Sequence, residues 1–211
     1  MVNALKGQTT NMELKFLVET SARHIHLTQE TFDELMGQKD AKLGVRKELS
    51  QPGQFVSDVR LDIYGFNPKT QKETCIKGVS ILGPLRDHNQ VEISATDARA
   101  LKIAAPVRES GDVKGSAAIK IVNPLNGKSV QLEEGCIVAK RHVHMTPEDA
   151  EAFGVKNGDN VKVLISGTGR ETVFGDTVIR VSPKFHLDMH IDTDESNAAW
   201  ASGEVYGTIV K

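Results

Sequence analysis

The chain is short of aromatic residues, cysteine and net charge, and it contains no long uninterrupted apolar run. Each shortage removes a class of function. Aromatic side chains make up 5% of the 211 residues, too few to provide the stacking platforms that hold single-stranded nucleic acid. Lys and Arg total 26 against 28 Asp and Glu, a formal charge of −2. That balance lacks the basic footprint of a nucleic-acid binder, so no nucleic-acid partner is expected. The two cysteines, Cys75 and Cys136, stand 61 residues apart outside any CxxC or Cys/His knuckle. This excludes a disulfide framework and a thiolate metal site, and it reads as two small core residues in a reducing compartment. No stretch approaches the roughly 18 uncharged apolar residues of a membrane-spanning helix. The N-terminus, MVNALKGQTTNMELKFLVE, lacks the basic, apolar, small-residue order of a signal peptide. A cytoplasmic protein with no membrane contact is therefore expected. With 39% hydrophobic and 26% charged residues the composition is that of a folded globular chain. Its length lies between one domain and two, at roughly 150 residues each.

What the chain does have is seven histidines and a quiet internal repeat. VETSARHIHLTQETFDELMG (18–37) lies over CIVAKRHVHMTPEDAEAFGV (136–155) at an offset of 118 residues, sharing Arg-His-apolar-His-apolar-Thr. At an offset of 98, VEISATDARA (91–100) lies over MHIDTDESNA (189–198), setting Glu92 against His190. Two half-chains thus repeat one plan, with about 20 more residues between the motifs in the first half. Short alternating runs at 56–64, 74–82, 91–94, 118–122, 131–139, 161–165 and 177–181 predict strands. Turn residues such as Gly65-Phe66-Asn67-Pro68 and Asn157-Gly158-Asp159 punctuate them. That spacing favours antiparallel barrels or sandwiches over a doubly wound sheet. Helices are expected to be few and short, with Thr28 and Thr146 as N-caps and Pro147 at a first helical position. The polar, glycine-bearing segment from Arg108 to Gly115 is the expected boundary, dividing the chain at residue 112 into repeats 1–112 and 113–211.

On a strand, residues i and i+2 share a face, so His24 with His26 and His142 with His144 each present two imidazoles side by side. Chance would give roughly 0.2 HxH pairs in a chain of this composition, so two pairs in a repeated context point to metal ligation. Catalytic zinc sites commonly use three protein ligands and an open position. The second repeat match provides the third ligand of each set: His24, His26 and Glu92 for one metal, and His142, His144 and His190 for the other. His186, four residues before His190, competes for the last place, and His88 has no repeat counterpart. Asp192 and Asp194 are candidates to orient a histidine through its second ring nitrogen. Arg86, in the Gly-Pro turn six residues before Glu92, would grip a phosphate or carboxylate through two parallel hydrogen bonds. An ion pair with Asp87 is the alternative on local sequence alone. Arg23 and Arg141 fall on the opposite strand face and read as structural. There is no GxSxG elbow, Walker A loop or HExxH helix, and the glycine-bearing Leu164-Ile165-Ser166-Gly167-Thr168-Gly169 reads as a hairpin turn.

The ordered motifs SARHIHL, LSQPGQFVSDVRLDIYG, GVSILGPLRDHNQVEIS, GCIVAKRHVHMTPEDAEAFGV and FHLDMHIDTDESNAAW, spread from Val18 to Trp200, resemble the PduL-type phosphate propanoyltransferases. The resemblance implies a mainly β fold of two similar small β-barrels with short capping α-helices, related by a pseudo-twofold axis. It also implies two zinc ions per chain held by the two ligand sets already named. The implied reaction is reversible acyl transfer between acyl-CoA (propanoyl-CoA or acetyl-CoA) and inorganic phosphate, giving acyl phosphate and free CoA. Arg86 becomes a phosphate contact, and Ser21 and Asn197 match positions that contact coenzyme A. A homodimer is the implied assembly. Family members destined for bacterial microcompartments resemble chains with an amphipathic N-terminal extension, whereas about a dozen residues precede the first strand here. A microcompartment lumen, with shell or cargo contacts, is thus the alternative to free cytoplasm. A dinuclear zinc hydrolase of a phosphate ester or thioester and a zinc-stabilised binding module are the rival functions.

Overall fold

The alternating runs fold as strands and the capped segments as short helices in the computed structural model, which describes residues 14–67 and 69–210. The first half runs β1 (Phe16–Thr20), β2 (His24–His26), α1 (Gln29–Met36), β3 (Val45–Glu48), β4 (Phe55–Asn67), β5 (Lys72–Gly83), β6 (Gln90–Glu92), α2 (Ala95–Leu101) and β7 (Val107–Arg108). The second runs β8 (Ala117–Val122), β9 (Ser129–Ala139), β10 (His142–Met145), α3 (Pro147–Phe153), β11 (Asn160–Ile165), β12 (Thr172–Val181), β13 (Asp188–Ile191), α4 (Thr193–Ala199) and β14 (Tyr206–Val210). The turn expected at 65–68 begins later, because β4 continues through Asn67. Pro68 and the N-terminal residues 1–13 lie outside the described residues.

The strands close two six-membered barrels. One has the order β4-β5-β2-β6-β9-β8 and returns to β4, with β3 and β7 added at β4 and β9. The other is β11-β12-β10-β13-β1-β14, returning to β11. They correspond strand for strand. In each, the HxH strand pairs parallel with one neighbour and antiparallel with the other, placing His24 beside Glu92 and His142 beside His190.

The expected boundary at residue 112 does not separate the barrels. The first barrel takes β8 and β9 from beyond that point, and the second takes β1 from the start of the chain. Each half therefore lends its leading strand to the other. The registers are equivalent, Val18 opposite Met189 in β1–β13 and Cys136 opposite Val91 in β9–β6. The two cores follow the exchange: Cys136 packs with Ile25 and Ile81 in the first, Phe16 and Val18 with Val143 and Met189 in the second.

Parity then decides which way the histidines face. Ile25 and Val143, the middle residues of the two HxH motifs, are fully buried in the two cores. Their flanking histidines leave the opposite face of each strand, outside its own barrel. Thr28 and Thr146 end these strands as N-caps, each accepting from the backbone N–H three residues on, and Pro147 begins α3. Two further capped helices, α2 and α4, follow β6 and β13, with Ser94 and Asp192 in reciprocal capping boxes. Arg23 reaches α2 by a two-armed bond to Asp97 at 2.8 and 2.7 Å, and Arg141 reaches Glu195 of α4 at 2.6 Å. Both arginines thus clamp the helix that follows the third-ligand strand. Ser166–Gly169 lies in the β11–β12 hairpin connection. Among the described residues no helix is long and apolar enough to cross a membrane.

Candidate metal centre

β2 and β6 bring His24, His26 and Glu92 together at the outer face of the first barrel. The two Nε2 atoms are 3.1 Å apart, and the Glu92 carboxylate oxygens lie 3.4 Å from His24 Nε2 and 3.9 Å from His26 Nε2. β10 and β13 do the same for His142, His144 and His190, whose ring centroids are 4.6 to 5.3 Å apart. In each triad one donor atom per residue lies within 4.8 Å of the others. A third group, Glu19, Asp188 and His190, overlaps the second triad.

The hydrogen bonds behind the rings fix which nitrogen faces the cluster. A backbone carbonyl only accepts, so His24 Nδ1 donates to Ala22 O at 2.8 Å and His142 Nδ1 donates to Lys140 O at 2.9 Å. These contacts are repeat-equivalent, and each leaves the Nε2 lone pair turned to its triad. Burial holds His26 well below its ordinary range and pushes His142 down to about 3, so both are neutral donors at pH 7. Burial also lowers His144. It acts on His190 in the same direction, but Asp188 and Glu19 outweigh it and raise that imidazole to about 9. On Glu92, burial is outweighed by His24 and His26, and the carboxyl is held below its usual range.

The carboxylates are themselves held. Gln90 Nε2 donates to Glu92 at 2.6 Å and to Ser110 Oγ at 2.8 Å, while Gly111 N–H donates back to Gln90 at 2.7 Å. Gln51 Nε2 donates to Asp188 at 2.7 Å, and Ser50 Oγ to Glu19 at 2.6 Å. Yet His144 Nδ1, His190 Nε2 and Asp188 Oδ1 are buried with no hydrogen-bond partner of good geometry. Imidazole nitrogens and carboxylate oxygens gathered in each cluster, some of them otherwise unsatisfied, form a donor set suited to a divalent cation that accepts nitrogen and oxygen.

Both triads line one cavity of about 540 Å³ between the barrels. Arg86 lines it too, placed by its backbone N–H on Leu27 O at 2.8 Å and touching Ser110 Oγ at 3.4 Å. Burial lowers its pKa, with Glu92 acting in opposition. No ion pair with Asp87 forms; that carboxylate bonds His88 Nδ1 at 2.6 Å. Ser21 and His88 also line the cavity, whereas Asn197 is exposed on α4 and His186 is exposed ahead of β13, both outside the lining.

Three expectations are corrected here. The carboxylate behind the histidines is Asp188, its Oδ1 3.1 Å from His190 Nε2 and 3.5 Å from His144 Nδ1. Asp192 instead caps α4, and Asp194 accepts from Thr96 N–H at the start of α2. The segment read as a linker, Arg108 to Gly115, contributes Ser110 and Gly111 to the cavity wall. Glu19, Gln51, Gln90, Asp188 and Arg180 escaped the sequence reading, although Asp188 and Gln90 could have been found by the same i, i+2 spacing that singled out the histidine pairs.

The family model for phosphate propanoyltransferase matches residues 17–202. The chain is 49% identical over 206 residues to a phosphate propanoyltransferase of Alkaliphilus metalliredigens, covering 98% of this chain and 92% of the relative. It is 50% identical over 194 residues to one from Listeria monocytogenes, covering 92% and 86% of the two chains. A Citrobacter freundii relative of the same description is 45% identical over 191 residues, covering 90% and 86%.

Proposed function

Since the chain belongs to the phosphate propanoyltransferase family, we propose that it moves an acyl group reversibly between coenzyme A and inorganic phosphate at a centre of two zinc ions. Propanoyl is the acyl group in the relatives' names, and acetyl differs by one methylene, worth only about 1 to 3 kcal/mol in a pocket. The observation that carries the reading is one cavity lined by both histidine triads and by Arg86.

His24, His26 and Glu92 would hold one zinc and His142, His144 and His190 the other. Bound there, the metals supply Lewis acidity toward a thioester carbonyl or thiolate and positive charge that offsets the repulsion of two anionic substrates. The residues of the chain do the positioning. Arg86 grips phosphate through its guanidinium fork, steadied by Ser110, which shares Gln90 with Glu92. A phosphate oxygen attacks the thioester carbon, the C–S bond breaks, and the phosphate proton goes to the departing sulfur, so no acyl-enzyme is required. Arg46 and Lys140 at the lining provide further charge for the phosphates of coenzyme A. We assign Ser21, in the lining, and Asn197, on the outer face of α4, to coenzyme A as well, a molecule too long for the cavity alone.

A coupled assay tests the reaction. Acyl phosphate should form from propanoyl-CoA only when phosphate is present, and chelator-free protein should contain about two zinc per chain. Free acid released at the same rate without phosphate would make the protein a hydrolase instead. Fewer than one zinc per chain with full activity would overturn the metal centre. Arg86→Ala is expected to keep its zinc while the KM for phosphate rises at least ~10-fold and kcat falls, the usual cost of a lost charge-assisted contact. Unchanged phosphate kinetics would remove Arg86 from the phosphate seat.

A further inference from the structure

Arg180 lines the cavity that holds both triads. It stands on β12 directly beside His144 of β10 in a parallel pairing, so both side chains leave the same face of the second barrel and enter the cavity. A guanidinium carries five N–H donors and no acceptor. Among the described residues the Arg180 guanidinium makes no hydrogen bond and no ion pair. Its one specific contact is the ring of Phe185, with the guanidinium carbon 5.9 Å from the centroid, at the outer limit of a cation–π interaction. Arg141, by contrast, is held by Glu195 and Gly175 O.

The charge of Arg180 bears on three neighbours, all of them in the cavity: Arg86, His142 and His144. Two guanidiniums, one from each half of the chain, thus line the cavity that holds both triads. Among the described residues the Arg86 guanidinium makes one hydrogen bond, a long one to Ser110. Bringing two such cations together in a partly dehydrated cavity is unfavourable unless an anion with several acceptor oxygens lies between them. A phosphate has that shape and charge, and arginine forks match it on two faces at once.

We propose that Arg180 and Arg86 form a two-armed seat for the phosphoryl group, one arm from each barrel, so that phosphate or acyl phosphate is held only when both halves of the chain contribute. This rests on the acyl-transfer reading. The Phe185 ring neighbours both groups, its centroid 4.2 Å from that of His144 and 5.9 Å from the Arg180 guanidinium carbon.

The test varies phosphate and propanoyl-CoA separately on zinc-loaded Arg180→Gln and Arg180→Lys proteins, with zinc measured on each. Arg180→Gln should raise the KM for phosphate at least ~10-fold, with zinc content and the KM for propanoyl-CoA within about twofold of the parent, because a charged hydrogen-bond donor is lost. Arg180→Lys keeps the charge and loses the fork, and it should fall between the two. In the Arg86→Gln, Arg180→Gln double variant the effects should be less than multiplicative, since both arms hold one anion. An unchanged phosphate KM in Arg180→Gln overturns the proposal. So does an equal rise in both KM values, or loss of zinc, either of which would mean that Arg180 merely packs the site. A parent enzyme that needs no phosphate would instead overturn the acyl-transfer reading itself.

Discussion

Alanine at His142 is expected to leave one zinc per chain and to lower acyl transfer at least ~100-fold, because removing even an outer-shell partner costs about 10–100-fold in metal affinity or activity. His142 is the ligand whose position is most completely fixed. It lies opposite His190 in the β10–β13 register, its Nδ1 proton is committed to Lys140 O, and burial keeps it neutral. Without it, His144 and His190 are left as two of three donors, insufficient for a closed or catalytic site of the usual kind. His26→Ala should remove the other zinc in the same way. Metal binding to a preformed site is also folding energy. The Tm of the zinc-loaded His142→Ala protein should therefore drop toward that of chelated parent protein, while the chelated forms of both should melt nearly together. A histidine that only packed the interface would lower both melting points equally and leave zinc content at two.

The two triads are not copies, and the difference is a matter of charge. At the offset of 98, Glu92 matches His190 and Gln90 matches Asp188. Each barrel therefore presents one carboxylate and one nitrogen-bearing side chain at the same two strand positions, in opposite order. In the first barrel the carboxylate lies with the histidines and an amide orients it. In the second, the histidine lies with the histidines and the carboxylate stands behind it. Glu19 adds to the second site from the exchanged strand, where the equivalent residue of the first site is Ile137. The segment that lengthens the first half carries β3 and the loop holding Ser50 and Gln51, and its polar groups serve Glu19 and Asp188 of the second barrel.

The clustering of the histidine pairs with Glu92 and His190 was legible because local spacing and the repeat carry it. His24 and His26 share a face whatever their strand pairs with, and Glu92 and His190 are equated by sequence alone. Arg180 was missed because it gains its place only by pairing with His144 across β12 and β10, and pairing between distant strands leaves no local mark, whereas Asp188 stood in plain i, i+2 spacing with His190. The misread boundary has a different cause. A loop that lines a site is polar and glycine-bearing for the same physical reasons as a linker, and only the bond from Gly111 N–H to Gln90 tells them apart. The strand exchange was equally silent, since FLVET and EGCIV look alike as strands wherever they insert.

That exchange makes the second large prediction: Phe16→Ala should destabilise the second barrel by about 3 to 5 kcal/mol, the usual cost of emptying a buried aromatic position. Phe16 is 2% exposed, and it lies opposite Gly207 of β14, where an added Cβ would come within 2.9 Å of its ring. Its ring meets Phe153 of α3 at 5.6 Å between centroids, so every one of these contacts belongs to the second half of the chain. A double-mutant cycle between Phe16→Leu and Phe153→Leu should give a coupling of about 0.5 to 1.5 kcal/mol. Native-state hydrogen exchange should show the loss of protection in Phe16→Ala spreading to β10, β13 and β14 rather than to β2 and β6. For the same reason residues 113–211 alone should fail to form a closed barrel, because without β1 the facing edges of β13 and β14 are left unpaired. A stable, cooperatively melting 113–211 fragment, or a Phe16→Ala effect confined to the first barrel, would mean that the halves fold as separate units and that the cavity between them is assembled only by docking.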